Sequence, residues 1–324
     1  MGLSPCKKGV FIVRSRYSMN AQPDILPALI GQQQVVTALA QTAKRRNSYG
    51  HAYLLSGADA VAVVGVAEWF RNFLVCSAPV GETPCDACPG CRSRQRADGL
   101  WSQTLRLTPE QPVHSVETIR RIRQFTTLRP VAEGQRVVML EGADTLAAPA
   151  ANALLKVLEE PGERLTFILT AHSLAAVRST VRSRAMTVAI QPVPTADLTA
   201  ALVRAGHTRN AAAFAVGLYP GQAGRAFALL AEEARVAELR QLDHTLADWD
   251  TVPRAQRLAI AADLLHGITE SSDQRQRLRD ILSVLATHAP RRPRALRALL
   301  EGCSTLRTNA QPKLIFDAFS LTAA

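Results

Sequence analysis

Three short apolar runs punctuate the chain, and the turns that follow two of them carry its candidate chemistry. Ala52-Tyr53-Leu54-Leu55-Ser56 stops at Gly57, Arg136-Val137-Val138-Met139-Leu140 stops abruptly at Glu141-Gly142, and a third run spans Leu165 to Thr170. Runs this short, bounded by turn residues and rich in branched side chains, read as strands buried on both faces. Between them the spacing of apolar residues turns helical. Leu26, Leu29, Ile30, Val35, Val36 and Leu39 suit a helix within 25–46 into which Gly31 breaks. Val116, Ile119, Ile122 and Phe125 suit another, with Glu117 early and Arg129-Pro130 at its end. Pro149 opens a third, carried by Leu154, Leu155, Val157 and Leu158 and stopped by Pro161-Gly162. Strand, acidic turn, helix and strand in succession form half of a parallel nucleotide-binding sheet.

Past Pro192-Val193-Pro194, a linker by composition, the strands end. Thr195 to Leu230 reads as two or three alanine-rich helices. From about Glu233 onward Leu239, Leu242, Leu246, Leu264, Leu265, Leu278, Ile281, Leu282 and Leu285 keep helical register, with Pro253, Pro290 and Pro293 separating the helices. No internal repeat or low-complexity segment interrupts the pattern. At 324 residues the chain has room for two or three domains.

Composition adds a charge to this picture. Hydrophobic residues make up 47%, and the mean hydropathy of +0.02 is that of an ordinary globular chain. Of 38 Lys and Arg residues only five are lysine, leaving 33 arginines behind a net charge of +11. That charge suits nucleic acid or an acidic partner, and arginine-biased codon usage would produce it equally well. No apolar run approaches the roughly 18 residues that cross a bilayer. Val10 to Val13 is too short for a signal-peptide core, and Cys6 stands where a myristoylation signal needs Ser or Thr. The chain is expected to be cytoplasmic with no membrane partner, its first 24 residues a basic tail.

A strand that ends on glycine and leads into a helix is where a phosphate loop sits. Such a loop needs G-x-x-x-x-G-K-[ST], so that backbone amides face the phosphates, the lysine contacts them and the hydroxyl holds magnesium. In this chain only Gly57 survives. Ala62 replaces the second glycine, Val63 the lysine and Val64 the hydroxyl, and Asp59 puts a negative charge where an anion would go. Weak binding through shape alone stays open. The turn after Leu140 carries the same deficit: Glu141-Gly142 stands where a magnesium-dependent ATPase has Asp-Glu, so the residue that would orient the attacking water is a glycine.

Between these turns lie Cys76, Cys85, Cys88 and Cys91, spaced C-x8-C-x2-C-x2-C within sixteen residues. Four thiolates so spaced surround one tetrahedral zinc, and Pro89-Gly90 supplies a tight turn between the last two. Free buried thiols and disulfides are the competing readings, the latter disfavoured in a reducing compartment. A complete shell of four cysteines leaves no open position, so the zinc is structural. Cys6 and Cys303 are isolated. Arg92, Arg94 and Arg96, with Trp101 beyond, form a basic edge that suits solvent or nucleic acid.

With these residues laid out, the chain resembles the bacterial clamp-loader family, the AAA+ subunits of DNA polymerase III. The carriers are Ile30-Gly31-Gln32, His51-Ala52-Tyr53-Leu54-Leu55-Ser56-Gly57, the four-cysteine insert, the string from Ala151 to Pro161 (ANALLKVLEEP) and Thr180-Val181-Arg182-Ser183-Arg184-Ala185. The likeness covers about residues 25 to 232 well, and the remainder weakly through Asn309-Ala310-Gln311-Pro312-Lys313. It implies an α/β fold: an AAA+ parallel-sheet domain over 25–191 with a zinc module at 76–91, a small helical lid domain over 192–232 and an all-α collar domain over 233–324 that holds subunits in a ring. In ATP-hydrolysing relatives the lid carries an arginine in a Gly-Ser-x-Arg context. Here Gly221-Gln222-Ala223-Gly224 occupies that frame, with Arg225 one place late.

The family's motif ends Ser-Arg-Cys, and here it ends Ser183-Arg184-Ala185, which removes a thiol and keeps the arginine. The resemblance implies that Arg184 reaches across to ATP held by a neighbouring subunit, while a local carboxylate partner is the plainer role. The missing loop, base and lid arginine select the delta-prime members, which commonly lack an intact phosphate loop and Asp-Glu; the resemblance thus implies no bound nucleotide and no ATPase of the chain's own inside the DNA polymerase III holoenzyme. Implied partners are a gamma/tau-type ATPase subunit and a clamp-opening delta subunit in a hetero-pentamer, with the sliding clamp and primer-template DNA met through the complex. The alternatives are an active gamma/tau-type ATPase and a free-standing zinc-bearing nucleic-acid-binding protein.

Overall fold

A computed structural model describes residues 29–44, 51–93, 103–109, 113–127, 135–161, 164–249, 252–265 and 271–288. The expectations for the basic tail, Arg94, Arg96, Trp101, Arg129-Pro130, Cys6, Cys303 and everything beyond residue 288 lie outside those residues.

Helix α1 (Gln33–Lys44) leads into strand β1 (Ala52–Ser56), helix α2 (Ala60–Val75) and the short helix α3 (Pro89–Ser93). Strand β2 (Thr104–Leu107), helix α4 (Val116–Thr127), strand β3 (Arg136–Leu140) and helix α5 (Ala148–Glu159) follow. Strand β4 (Leu165–Ala171), helix α6 (Ser179–Arg182) and strand β5 (Met186–Ala189) complete a five-stranded sheet in the order β2-β3-β4-β1-β5. The pairs β2/β3 and β3/β4 are parallel, with Val138 opposite Leu105 on one side and Phe167 on the other. Every residue of β1, β3 and β4 is buried. These are the three apolar runs of the sequence, and burial on both faces is why they show no alternation.

The edge strands β2 and β5 differ. β2 buries only Leu107 fully, and β5 buries none of its residues. Neither was legible from the pattern, because a half-exposed four-residue strand lacks both the apolar run and a usable period. Around the sheet's inner strands, Tyr53 meets Phe70 edge-on at 4.9 Å and Trp69 lies 5.5 Å from Phe73. Arg136 opens β3, and its guanidinium stacks 4.2 Å over Phe125, near the end of α4.

The chain divides into two compact units. One holds the chain to Leu54 with Gly65–Thr170 and Val177–Thr187, the other Leu55–Val64, Ala171–Ala176 and the chain from Val188. Within the second, the alanine-rich region forms α7 (Thr195–Arg204), α8 (Arg209–Leu218) and α9 (Ala223–Leu230). The leucine-bearing region forms α10 (Glu233–Leu246), α11 (Arg254–Leu265) and α12 (Ser271–His288). Leu239, Leu242, Leu246, Leu278, Ile281 and Leu282 are buried, and Arg235 pairs with the buried Asp280 to join α10 to α12.

Candidate functional site

The turn after β1, where the sequence suggests a phosphate loop, is filled by the chain's own side chains. Val63 is 2% exposed and Ala62 3%, so the position of the missing lysine is inside the apolar core. Gly57 is retained for close approach: a Cβ there would lie 2.7 Å from the Ile190 carbonyl oxygen and 3.2 Å from Val63 Cγ2. Asp59 is buried, and its Oδ1 accepts from the amides of Val61 at 3.1 Å and Ala62 at 3.3 Å, capping α2. Its Oδ2 accepts from the amide of Gly224 at 2.7 Å. Gly224, in the frame of the lid arginine, could carry no side chain, because a Cβ would lie 2.6 Å from Val61 Cβ and 2.9 Å from the Ala62 amide. Arg225 turns to Tyr219, its Cζ 5.8 Å from the ring centroid.

The acidic turn after β3 is built just as firmly. Gly142 has φ +72°, in the left-handed region, and its amide donates to Thr170 Oγ1 at 3.3 Å. A glutamate in that position would carry backbone strain before it met any substrate. Glu141, where a magnesium ligand would stand, accepts instead from Arg106 Nε at 2.5 Å, and the same guanidinium pairs with Glu68. His114 Nε2 donates to the Glu141 carbonyl at 2.5 Å. Arg106 and Glu68 carried no signal in the sequence, since Arg106 sits on the edge strand that went unread.

Arg184 follows α6 and is 35% exposed at its side chain. Its Nε donates to Glu159 Oε1 at 2.8 Å, NH2 reaches the same oxygen at 2.5 Å and NH1 donates to the Thr180 carbonyl at 3.1 Å. Glu159 is the last residue of α5, so the recognisable ANALLKVLEEP string and the Ser-Arg pair are joined by this contact. The local carboxylate partner is therefore present.

Cys76, Cys85, Cys88 and Cys91 come together, their Sγ atoms all within 4.8 Å of one another. Sulfurs about 2.3 Å from one ion in a tetrahedron stand about 3.8 Å apart, so this set needs little adjustment to hold a metal. The backbone is arranged for it. Asp86 takes φ +55° between Cys85 and Cys88, and Gly90 lies so close to α2 that a Cβ would stand 2.0 Å from the Val75 carbonyl oxygen. Amides of Cys85, Cys88 and Cys91 donate to the sulfurs of Cys76, Cys85 and Cys88 at 3.2, 3.4 and 3.4 Å, the outer contacts that support thiolate ligands. Charges divide unevenly over the metal-free set. Burial pushes the Cys76 and Cys91 thiols up, and for Cys91 the neighbouring thiols add to it. The Ala87 and Cys88 amides hold Cys85 down. Cys88, despite its burial, comes down to about 6 through donation from Ser77 and the Cys91 amide. Two thiols raised and two lowered leave negative charge on the set that a bound cation would neutralise, and the donors fit a soft or borderline one.

No described helix is long and apolar enough to cross a membrane.

Known proteins match the chain across this same region. A family model described as DNA polymerase III, delta subunit, matches residues 31–194, half of the chain. The DNA polymerase III subunit delta' of Pseudomonas aeruginosa is 32% identical over 142 residues, covering 43% of this chain and 42% of that protein. The DNA polymerase III subunit tau/gamma of Haemophilus influenzae is 30% identical over 165 residues, covering 51% of this chain and 23% of that protein. The chain thus spans less than half the length of these relatives. The crystal structure of a DNA polymerase III gamma subunit-related protein from Thermotoga maritima matches with a TM-score of 0.50 at 17% identity, covering 89% of this chain and 98% of the other, a likeness of fold. On the family match the chain belongs to the bacterial DNA polymerase III clamp-loader subunits, of the AAA+ class.

Proposed function

We propose that this chain is a non-hydrolysing clamp-loader subunit of the delta-prime kind, which lends Arg184 to ATP held by a neighbouring gamma/tau-type subunit. The observation that carries the reading is the buried valine at 63 in the place of the phosphate-binding lysine. Apolar packing there removes the strongest cation a bound triphosphate would meet in cis. The left-handed Gly142 and the sealed Gly224 support it from two further places. Arg184 remains at the surface on a carboxylate it can exchange for phosphate oxygens. A guanidinium in that role neutralises charge developing in phosphoryl transfer and is worth about a thousandfold or more in rate.

In this reading the sheet unit, the lid formed by α7 to α9 and the collar that begins with α10 scaffold one place in a hetero-pentamer. The delta subunit lies on one side and an ATPase subunit on the other, and the clamp and primer-template DNA are met through the assembly. Cys76, Cys85, Cys88 and Cys91 hold one Zn2+ that fixes the end of α2 to the following loop and leaves no position for substrate.

The test is Arg184→Ala in the reconstituted complex. Assembly stays intact and most of the clamp-stimulated ATPase is lost; activity at the wild-type level would falsify the assignment of the arginine. The tau/gamma relative keeps the ATPase reading in play, and titration of the isolated chain separates the two. Micromolar ATP binding overturns the non-hydrolysing role.

A further inference from the structure

Asp59 does something an ordinary helix cap does not. One carboxylate oxygen caps α2 through the amides of Val61 and Ala62, and the other crosses 165 residues of sequence to the amide of Gly224, in the first turn of α9. That helix lacks a cap of its own: Gln222 at its N-cap makes no side-chain capping bond, and its Oε1 is buried without a partner. Two helix N-termini, each with unsatisfied amides and a partial positive charge, thus converge on a single anion. Their approach is close enough that Gly224 alone fits between Val61 and Ala62. A strand-turn-helix of this kind ordinarily offers those amides to a phosphate.

We propose that Asp59 is a built-in anion in the place of a bound phosphate, capping α2 and α9 with one carboxylate and fixing the two helices to each other without nucleotide. The latch is independent of what Arg184 does for a neighbour. It explains a retained loop outline in a chain with no lysine to hold ATP: the amide cradle is used, and its ligand is covalently part of the chain. The contact between α2 and α9 then cannot respond to the nucleotide state of the cell. A carboxylate already in the cradle also repels an incoming phosphate.

Thermal melts and hydrogen exchange of the full chain test the latch. The wild-type melting temperature is unmoved by orthophosphate or formate, whereas Asp59→Ala lowers it by about 5 °C or more. Formate or orthophosphate, entering the vacated cradle, recovers part of that loss. Gly224→Ala leaves Asp59 in place but wedges the helix ends apart. It lowers the melting temperature as well, and the double variant loses less than the sum of the two. Should Asp59→Ala fail to fold, Asp59→Asn keeps the shape and turns an amide toward the Gly224 N–H. Hydrogen exchange of the 222–230 segment then speeds up relative to wild type. A melt of Asp59→Ala within about 1 °C of wild type, a loss that no anion recovers, strictly additive losses, or unchanged exchange in Asp59→Asn each overturns the proposal.

Discussion

The two ends of helix α2 have kept opposite things. At its start, where the sequence suggests a phosphate loop, Ala62 and Val63 are buried and the Asp59 carboxylate accepts from the amides of Val61 and Gly224. At its end four cysteines, three from the loop after α2 and one from α3, bring their sulfurs within 4.8 Å, with Gly90 pressed on Val75. Both ends rely on a glycine that admits no Cβ. The difference is that the first end is satisfied by the chain's own atoms, whereas the second gathers four sulfurs in an arrangement that could hold a metal. In the proposed latch a side chain takes the place of a ligand, so the turn can keep its fold with nothing bound. At the cysteine end the sulfurs of Cys76, Cys85 and Cys88 accept from backbone amides, contacts that leave the set free to take a metal.

The largest expected effect therefore lies at the cysteines. Cys91→Ser should abolish metal binding, measured as metal content of the purified chain, and destabilise the fold by about 4 kcal/mol or more. If the variant retains full metal and the wild-type melt, the two ends of α2 are alike after all. The same end should respond to pH. Cys76 and Cys91 are raised and hold their protons at neutral pH, so metal binding must expel them and apparent affinity rises as pH rises. With Cys88 at about 6, acid below that value adds a third proton to displace and loosens the ion further. Competition with a chelating dye between pH 5.5 and 8 reads the slope, and a flat profile contradicts it.

Restoring chemistry at the other end should cost stability and return nothing. Val63→Lys places an ammonium at a site 2% exposed, which costs about 3 kcal/mol by denaturant melt. Combined with Val64→Thr it still yields no ATP affinity in a titration, because Asp59 and Gly224 continue to close the cradle. Micromolar binding in that double variant would show that only the side chains were missing. Gly142→Glu is milder, about 1–2 kcal/mol for a side chain forced into the left-handed region, and it brings no hydrolysis.

Sequence alone was a good guide to what is locally determined and a poor one to what is shared between distant segments. β1, β3 and β4 were legible because burial on both faces makes their residues uniformly apolar, and α5 because Pro149 and Pro161 bracket it. The cysteine spacing announced that four thiols would come together, because short C-x2-C turns bring sulfurs close in space. β2 and β5 were missed because half-exposed edges accept Thr, Arg and Met alike. Asp59 reads in the sequence as a charge opposed to anion binding. Its partnership with Gly224, and the steric reason that 224 holds no arginine, depend on a contact across 165 residues that no local pattern encodes. Arg106 on Glu141 was invisible for the same reason.

The smallest expected effect sharpens the comparison from a third place, where the chain keeps a charge without burying it. The Arg184–Glu159 pair has side chains 35% and 49% exposed. Ion pairs in that setting contribute at most a few tenths of a kcal/mol, since solvent screens them and two long side chains lose freedom in forming them. Glu159→Gln should leave the melting temperature within about 1 °C of wild type. The amide still accepts one guanidinium bond but no longer opposes transfer of Arg184 to a phosphate, so clamp-stimulated ATPase of the reconstituted complex should stay level or rise. A fall in that ATPase with an unchanged melt would make Glu159 a positioning residue for the arginine. A melt lowered by several degrees would make the pair structural, placing Arg184 with the cysteines among groups that hold this chain together rather than groups it offers to a neighbour.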